Sequence, residues 1–229
     1  MTDKSKNTEF DQSGAKQGVS PARRLVIGAG AIAAIDGLAS TGSLFAKSGG
    51  RSAHVSFEVF GSKNNPIENA VVSLTSLDEV QSPAAPGVIE VVQQNKQFAP
   101  YVSAVGVGSS VSFPNLDDVK HHVYSFSKAK PFELKLLGKE RPDLVVLDRA
   151  GTIVVGCNIH DRMVGFIRVV KSPHYGVTDA AGQWTGLVPP GRYGVDLWHP
   201  TLDIEQARLV GTIVVGRSDA KHRYTLPIG

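Results

Sequence analysis

Cysteine is almost absent from this sequence, since the 229 residues contain only Cys157. A single cysteine cannot form an internal disulfide, so it is a buried structural residue, a nucleophile, a redox-sensitive group or a metal ligand. Long apolar runs and helical periodicities are also scarce, which argues against a membrane span in the mature protein. The net charge is only +3, and no stripe of basic residues is interleaved with aromatic ones. This argues against nucleic acid as a partner.

Glycine and proline are plentiful, with 24 and 13 residues, and they separate many short strand-like runs. The segment AHVSFEVF, from Ala53, alternates apolar and polar residues as a half-buried strand does. Similar short runs, such as TIVVGC and VGFIRVV, follow along the rest of the chain. Closely spaced strands punctuated by turn residues predict an all-β sandwich or barrel.

The N-terminal region has the layout of an export signal. Residues 1–20 are polar, and Arg23 and Arg24 precede an Ala/Gly-rich apolar run that Asp36 interrupts. This layout resembles a twin-arginine signal, which implies export to the periplasm. We expect cleavage between Ala39 and Ala53. The alternative is a disordered tail followed by a marginal helix.

The only cysteine lies in a short loop that is rich in possible metal ligands. Cys157, His160 and Met163 are spaced three residues apart between two strand-like runs. Thiolate, imidazole and thioether suit a soft or borderline metal, and a set of two His and one Cys with a weak axial Met is typical of blue copper. The second imidazole is His121 or His122, because consecutive strand residues face opposite ways. A zinc site and a Cys–His nucleophile are the alternatives.

Two segments carry a resemblance to the cupredoxins of the plastocyanin and amicyanin type: FPNLDDVKHHV and VVGCNIHDRMVGFIRVV. Asn115, Asp117 and His121 match the N-x-D-x₃-H pattern of that family, and the second segment has its C-x₂-H-x₂-M loop. The resemblance implies four ligands to one type 1 copper ion: His121, Cys157, His160 and Met163. It also implies a supporting role, without direct ligation, for Asn115, Asp117 and His122.

The resemblance extends over residues 86–171 and implies a Greek-key cupredoxin β-sandwich. It is stronger still to the bacterial cupredoxin-like group known as methylamine utilization proteins, although Arg162 stands where that group commonly has Trp. It implies a one-electron carrier and not an enzyme. The implied partners are redox proteins, a donor dehydrogenase or an acceptor cytochrome, with His160 near the surface passing the electron.

The flanking segments resemble two halves of a carboxypeptidase regulatory-like, or transthyretin-like, β-sandwich. The run NNPIENAVVSL lies in residues 53–82, and VTDAAGQWTGLVPPGRYGVDLWHP lies in residues 172–229. We therefore expect a leader in residues 1–52 and a cupredoxin domain inserted into, or attached to, a second small sandwich. The alternative is that the first flank adds strands to the cupredoxin and the second is a separate sandwich.

Four residues of the second flank have two interpretations, as a partner or sugar surface or as half-buried core: Trp184, Tyr193, Trp198 and His199. At the level of the whole chain, two alternatives to an electron carrier stay open. One is a copper-delivery protein that holds the metal without redox turnover, and the other is a β-sandwich binding module.

Overall fold

The computed structural model describes residues 51–139, 143–202 and 204–229, and these form strands and loops without an α-helix. Residues 1–50 of the predicted leader lie outside the part of the chain that the structure describes. None of the described segments forms a helix with the length and apolar character that crossing a bilayer requires. The all-β prediction is confirmed.

The described residues form seventeen strands. In chain order they are β1 (Ala53–Phe60), β2 (Val71–Ser76), β3 (Val88–Glu90), β4 (Val92–Gln94), β5 (Gln97–Ala99), β6 (Val102–Gly106), β7 (Ser109–Ser112), β8 (His121–Ser125), β9 (Phe132–Leu137), β10 (Val145–Leu147), β11 (Gly151–Cys157), β12 (Val164–Val170), β13 (Tyr175–Val177), β14 (Gln183–Val188), β15 (Gly191–Trp198), β16 (Arg208–Val215) and β17 (Ala220–Thr225).

Strands from the two flanks pair with one another. Strand β1 lies between β14 and β17, antiparallel to the first and parallel to the second. A second, fully antiparallel sheet has the order β13-β2-β15-β16. Inward-facing side chains of both sheets form one hydrophobic core, here called the flank core, which includes Phe57, Leu74 and Val195. The boundaries of the four predicted segments, and the resemblance of the flanks to a carboxypeptidase regulatory-like sandwich, stay predictions.

The strands from β3 to β12 form the remaining sheets. A five-stranded sheet has the order β6-β12-β11-β8-β9, a three-stranded sheet has the order β10-β7-β3, and β4 and β5 form a hairpin. Their apolar side chains form a second core, here called the central core, which includes Phe113, Ile153 and Ile167. Cys157 and Met163 are members of this cluster. The possible metal site is therefore set in the wall of a packed core.

A small third cluster joins the two cores. Val71 and Trp198 come from the flank strands, and Val102 and Phe166 come from the central strands. The rings of Phe166 and Trp198 lie 6.0 Å apart, and the Arg168 guanidinium lies 5.9 Å from the Trp198 ring. Trp198 and Tyr193 are buried, which confirms the core interpretation for these two aromatic residues.

Candidate metal centre

Strands β8 and β11 bring two residues of the site together. They are antiparallel neighbours in which Cys157 pairs with Val123, two residues after His121. His121 begins β8, and its side chain is completely buried on the face that carries Cys157. His122 points the other way, as strand alternation predicts, and its Nε2 atom lies 2.8 Å from Glu133 Oε1.

The loop between β11 and β12 supplies the other residues. The Cys157 N–H donates to the Met163 carbonyl at 3.1 Å, and the Met163 N–H donates to the His160 carbonyl at 2.9 Å. The Asn158 N–H donates to the His122 carbonyl at 3.1 Å, which ties the start of this loop to β8. The loop is thus closed on itself by backbone hydrogen bonds, and His160 and Met163 are held close to Cys157.

Two imidazole nitrogens converge on one sulfur. His121 Nδ1 lies 3.6 Å from Cys157 Sγ, and His160 Nδ1 lies 3.8 Å from the same atom. The two rings are 5.1 Å apart, and one donor atom from each of the three residues lies within 4.8 Å of the others. One thiolate and two imidazoles form a donor set that copper and zinc both accept. The three side chains therefore form a group that fits a copper-binding protein.

The surroundings of the group become more exposed towards His160. Cys157, His121 and Met163 are buried, whereas the His160 side chain is half-buried. Its neighbour Ile159 is 51% exposed. Met163 is in the same hydrophobic cluster as Cys157, and its role as a ligand stays a prediction.

Asp117 contacts His121 on the side opposite the sulfur. Asp117 Oδ2 lies 2.8 Å from His121 Nε2, and Asp117 also accepts hydrogen bonds from two backbone N–H groups. Burial opposes ionisation of this carboxyl, but hydrogen bonds from the Lys96 N–H, His121 and the Asn95 N–H outweigh it and lower the pKa of Asp117. The ionised carboxylate can accept a hydrogen bond from His121 Nε2–H, and in that tautomer the lone pair of Nδ1 faces Cys157.

The predicted supporting residues have different places in the structure. Asn115 is buried; its side chain donates to the Val119 carbonyl at 2.7 Å and accepts from the Asp117 N–H at 2.9 Å. It therefore shapes the turn before β8. His122 contacts the β11–β12 loop through its backbone carbonyl, while its side chain contacts Glu133.

Two contacts near the site were not predicted from the sequence. Tyr124 packs against Gly156, where an added Cβ would lie 2.9 Å from the Tyr124 Cζ atom. The turn of the β4–β5 hairpin contacts Asp117 from a segment 21 and 22 residues earlier in the chain. A small residue before the cysteine and a polar two-residue turn are the only traces of these contacts in the sequence.

Comparisons with known proteins give matches to solved structures alone. No protein-family model matches the sequence, and no curated protein matches it. A reduced Cu(I) form of an amicyanin variant is 22% identical, covers 45% of this chain and 100% of its own, and has a TM-score of 0.34. An oxidised amicyanin variant is 21% identical with the same coverage and TM-score.

A copper-containing nitrite reductase from Thermus scotoductus is 25% identical over 43% of this chain and 25% of its own, also with a TM-score of 0.34. The chain thus spans about a quarter of the length of that enzyme. The common feature of these matches is that they concern less than half of this chain.

Proposed function

We propose that this protein is a one-electron carrier in which His121, Cys157 and His160 would hold a single type 1 copper ion, with Met163 as a weak fourth ligand. The observation that carries the proposal is the convergence of two imidazole Nδ1 atoms on the Cys157 sulfur, at 3.6 and 3.8 Å. One thiolate, two imidazoles and a nearby thioether are the donor set of electron-transfer copper sites. Bound there, copper would supply one-electron chemistry.

The residues of the chain would keep that centre rigid and mostly dry. His121 and Cys157 come from neighbouring strands, and the backbone hydrogen bonds between Cys157, Met163 and His160 fix the loop. When the donor atoms are held in place, their geometry changes little between the two oxidation states of the metal, which favours rapid electron transfer. The buried apolar side chains around Cys157 exclude water from the sulfur.

The half-buried His160 and the exposed Ile159 support electron exchange with a redox protein that docks at this loop. We propose no catalytic reaction for the site itself. The paired arginines and the apolar run that follows them support export, so we propose that the carrier acts in the periplasm.

The visible absorption spectrum of the full chain with Cu²⁺ tests the proposal. We expect an intense thiolate-to-copper band that Cys157→Ser abolishes. Asn158→Ser is the matched control, because Asn158 is exposed and offers no strong copper ligand in the same loop. A colourless wild type, or a band that survives Cys157→Ser, would contradict the proposal.

Voltammetry of the coloured protein then separates the carrier from a delivery protein. A carrier gives a reversible one-electron wave and keeps its metal during repeated cycles. Rapid transfer of copper to an acceptor chelator, without a reversible wave, would favour delivery instead. A site that binds Zn²⁺ tightly and gives no band with Cu²⁺ would favour the zinc alternative.

A further inference from the structure

The turn of the β4–β5 hairpin presents two backbone N–H groups to one carboxylate. Asn95 and Lys96 connect the strands, and both have left-handed backbone angles, with φ of 54° and 57°. This is the two-residue turn whose twist suits a tight hairpin. The Asn95 N–H donates to Asp117 Oδ1 at 2.7 Å, and the Lys96 N–H donates to Asp117 Oδ2 at 2.9 Å. One bond to each oxygen fixes the plane of the carboxylate.

The hairpin is anchored to the segment before β8 independently of this contact. The Gln93 N–H donates to the Pro114 carbonyl at 2.8 Å, and the Leu116 N–H donates to the Gln93 carbonyl at 2.9 Å. The fully buried Gln93 side chain also donates to the Phe113 carbonyl at 2.6 Å. Because backbone bonds hold the hairpin beside this segment, the turn is a fixed support for Asp117.

Asp117 transmits this support to the metal-facing imidazole. Its Oδ2 atom, which accepts from Lys96, lies 2.8 Å from His121 Nε2, and its side chain is only 14% exposed. A carboxylate that accepts the distal N–H of a ligating imidazole fixes the orientation of the ring and increases electron donation by the other nitrogen. Here that other nitrogen is Nδ1, which faces Cys157.

We propose that the β4–β5 turn controls how strongly His121 donates to the metal, with Asp117 as the positioning residue between them. The inference rests on the proposed copper site. Stronger donation by His121 stabilises the more highly charged oxidised ion, so the hydrogen bond lowers the reduction potential. Weakening the contact between the turn and Asp117, or the contact between Asp117 and His121, should raise the reduction potential.

Asp117→Asn, an insertion in the turn, the combination of these two changes and a control insertion test these contacts in the full chain. Asp117→Asn keeps the shape of the side chain and removes its charge. Two glycines inserted between Asn95 and Lys96 loosen the turn and leave Asp117 in place. The matched control carries the same two glycines between Arg217 and Ser218, in the exposed loop between β16 and β17.

We expect Asp117→Asn to lower Cu²⁺ affinity relative to Cu⁺ by about tenfold, the lower end of the range for removal of such supporting partners. The insertion at the turn should lower the ratio of Cu²⁺ affinity to Cu⁺ affinity as well, by a smaller factor. The insertion should add nothing in the Asp117→Asn background, and the β16–β17 insertion should leave the ratio unchanged. Urea unfolding of each variant separates a change in stability from a change in the ratio.

A second readout needs no metal. In the metal-free protein the proton on His121 Nε2 should give a low-field NMR signal that exchanges slowly with water. Both Asp117→Asn and the turn insertion should accelerate that exchange, and the β16–β17 insertion should not. If Asp117→Asn fails to fold, the turn insertion and its control decide the question alone.

The inference is overturned if the turn insertion leaves both the affinity ratio and the His121 proton unchanged, or if the effects of the two changes add in the double variant. A wild type without a thiolate-to-copper band would contradict the proposed function alone. The metal-free exchange measurement would still decide whether the turn acts on His121 through Asp117.

Discussion

At the scale of single residues, the contact between Gly156 and Tyr124 limits what can precede Cys157. The two residues are partners across β11 and β8, and a Cβ at residue 156 would lie 2.9 Å from Cζ and 3.0 Å from the hydroxyl of Tyr124. We expect Gly156→Ala to lower the free energy of unfolding by about 1–3 kcal/mol, since the aromatic ring must move.

Urea unfolding measures this change, with Gly216→Ala as the matched control. No heavy atom lies within 4 Å of a Cβ built at Gly216, so that variant should differ from wild type by about 0.5 kcal/mol or less. Replacing Tyr124 by Leu in the Gly156→Ala background should recover part of the loss. Equal stability of the two alanine variants would show that Tyr124 moves at no cost.

At the scale of elements, one ion pair joins the loop after β2 to the start of β15. The Arg192 N–H and Nε donate to Asp78 at 2.7 and 2.6 Å, and the backbone and side-chain hydrogen bonds from Arg192 lower the pKa of Asp78. A carboxyl with a lowered pKa stabilises the fold above its unfolded pKa of about 4, and this contribution is lost as the pH falls through the folded value.

We therefore expect Asp78→Asn to be less stable than wild type at pH 7, with the difference shrinking as the pH falls below about 4. Urea midpoints measured at both ends of this range test the expectation. Asp143→Asn, at an exposed position, is the control and should follow the wild-type pH dependence. A difference between wild type and Asp78→Asn that stays constant with pH would contradict it.

At this scale the sequence predicted local strand alternation, but it did not predict a contact between distant segments. Period-two alternation predicted the strand at Ala53, and the same alternation predicted that His121 and His122 face opposite ways. The contact of the Asn95–Lys96 turn with Asp117 could not be predicted, because no local pattern records which distant backbone N–H groups meet a carboxylate. The ligand set itself stays a prediction that rests on spacing and on the geometry around Cys157.

At the scale of the whole molecule, the cluster around Trp198 couples the two cores. Trp198 is buried against Phe166, and its indole N–H donates to the Ile204 carbonyl at 3.0 Å. We expect Trp198→Ala to cost about 3–5 kcal/mol, because it leaves a cavity where the cores meet. It should also let the cores unfold in separate steps.

Two probes follow the cores in urea without metal. Fluorescence of Trp184, the remaining tryptophan, reports on the flank core, and reactivity of the buried Cys157 thiol reports on the central core. The two transitions should coincide in wild type and separate in Trp198→Ala. Trp184→Phe, which keeps Trp198, is the control and should leave one coupled transition, followed there by Trp198 fluorescence. Coincident transitions in Trp198→Ala would contradict the coupling.

The pairing of β1 with β14 and β17 has a consequence for the order of events during protein synthesis. The partners of residues 53–60 are translated more than a hundred residues later, whereas β3 to β12 pair among themselves. During translation the central strands can therefore begin to associate before β14 and β17, the two pairing partners of β1, have been made. A nascent chain ending at residue 175, and tethered to the ribosome by a linker long enough to bring β12 out of the exit tunnel, should have a protease-resistant central region and a β1 segment that is still open to cleavage.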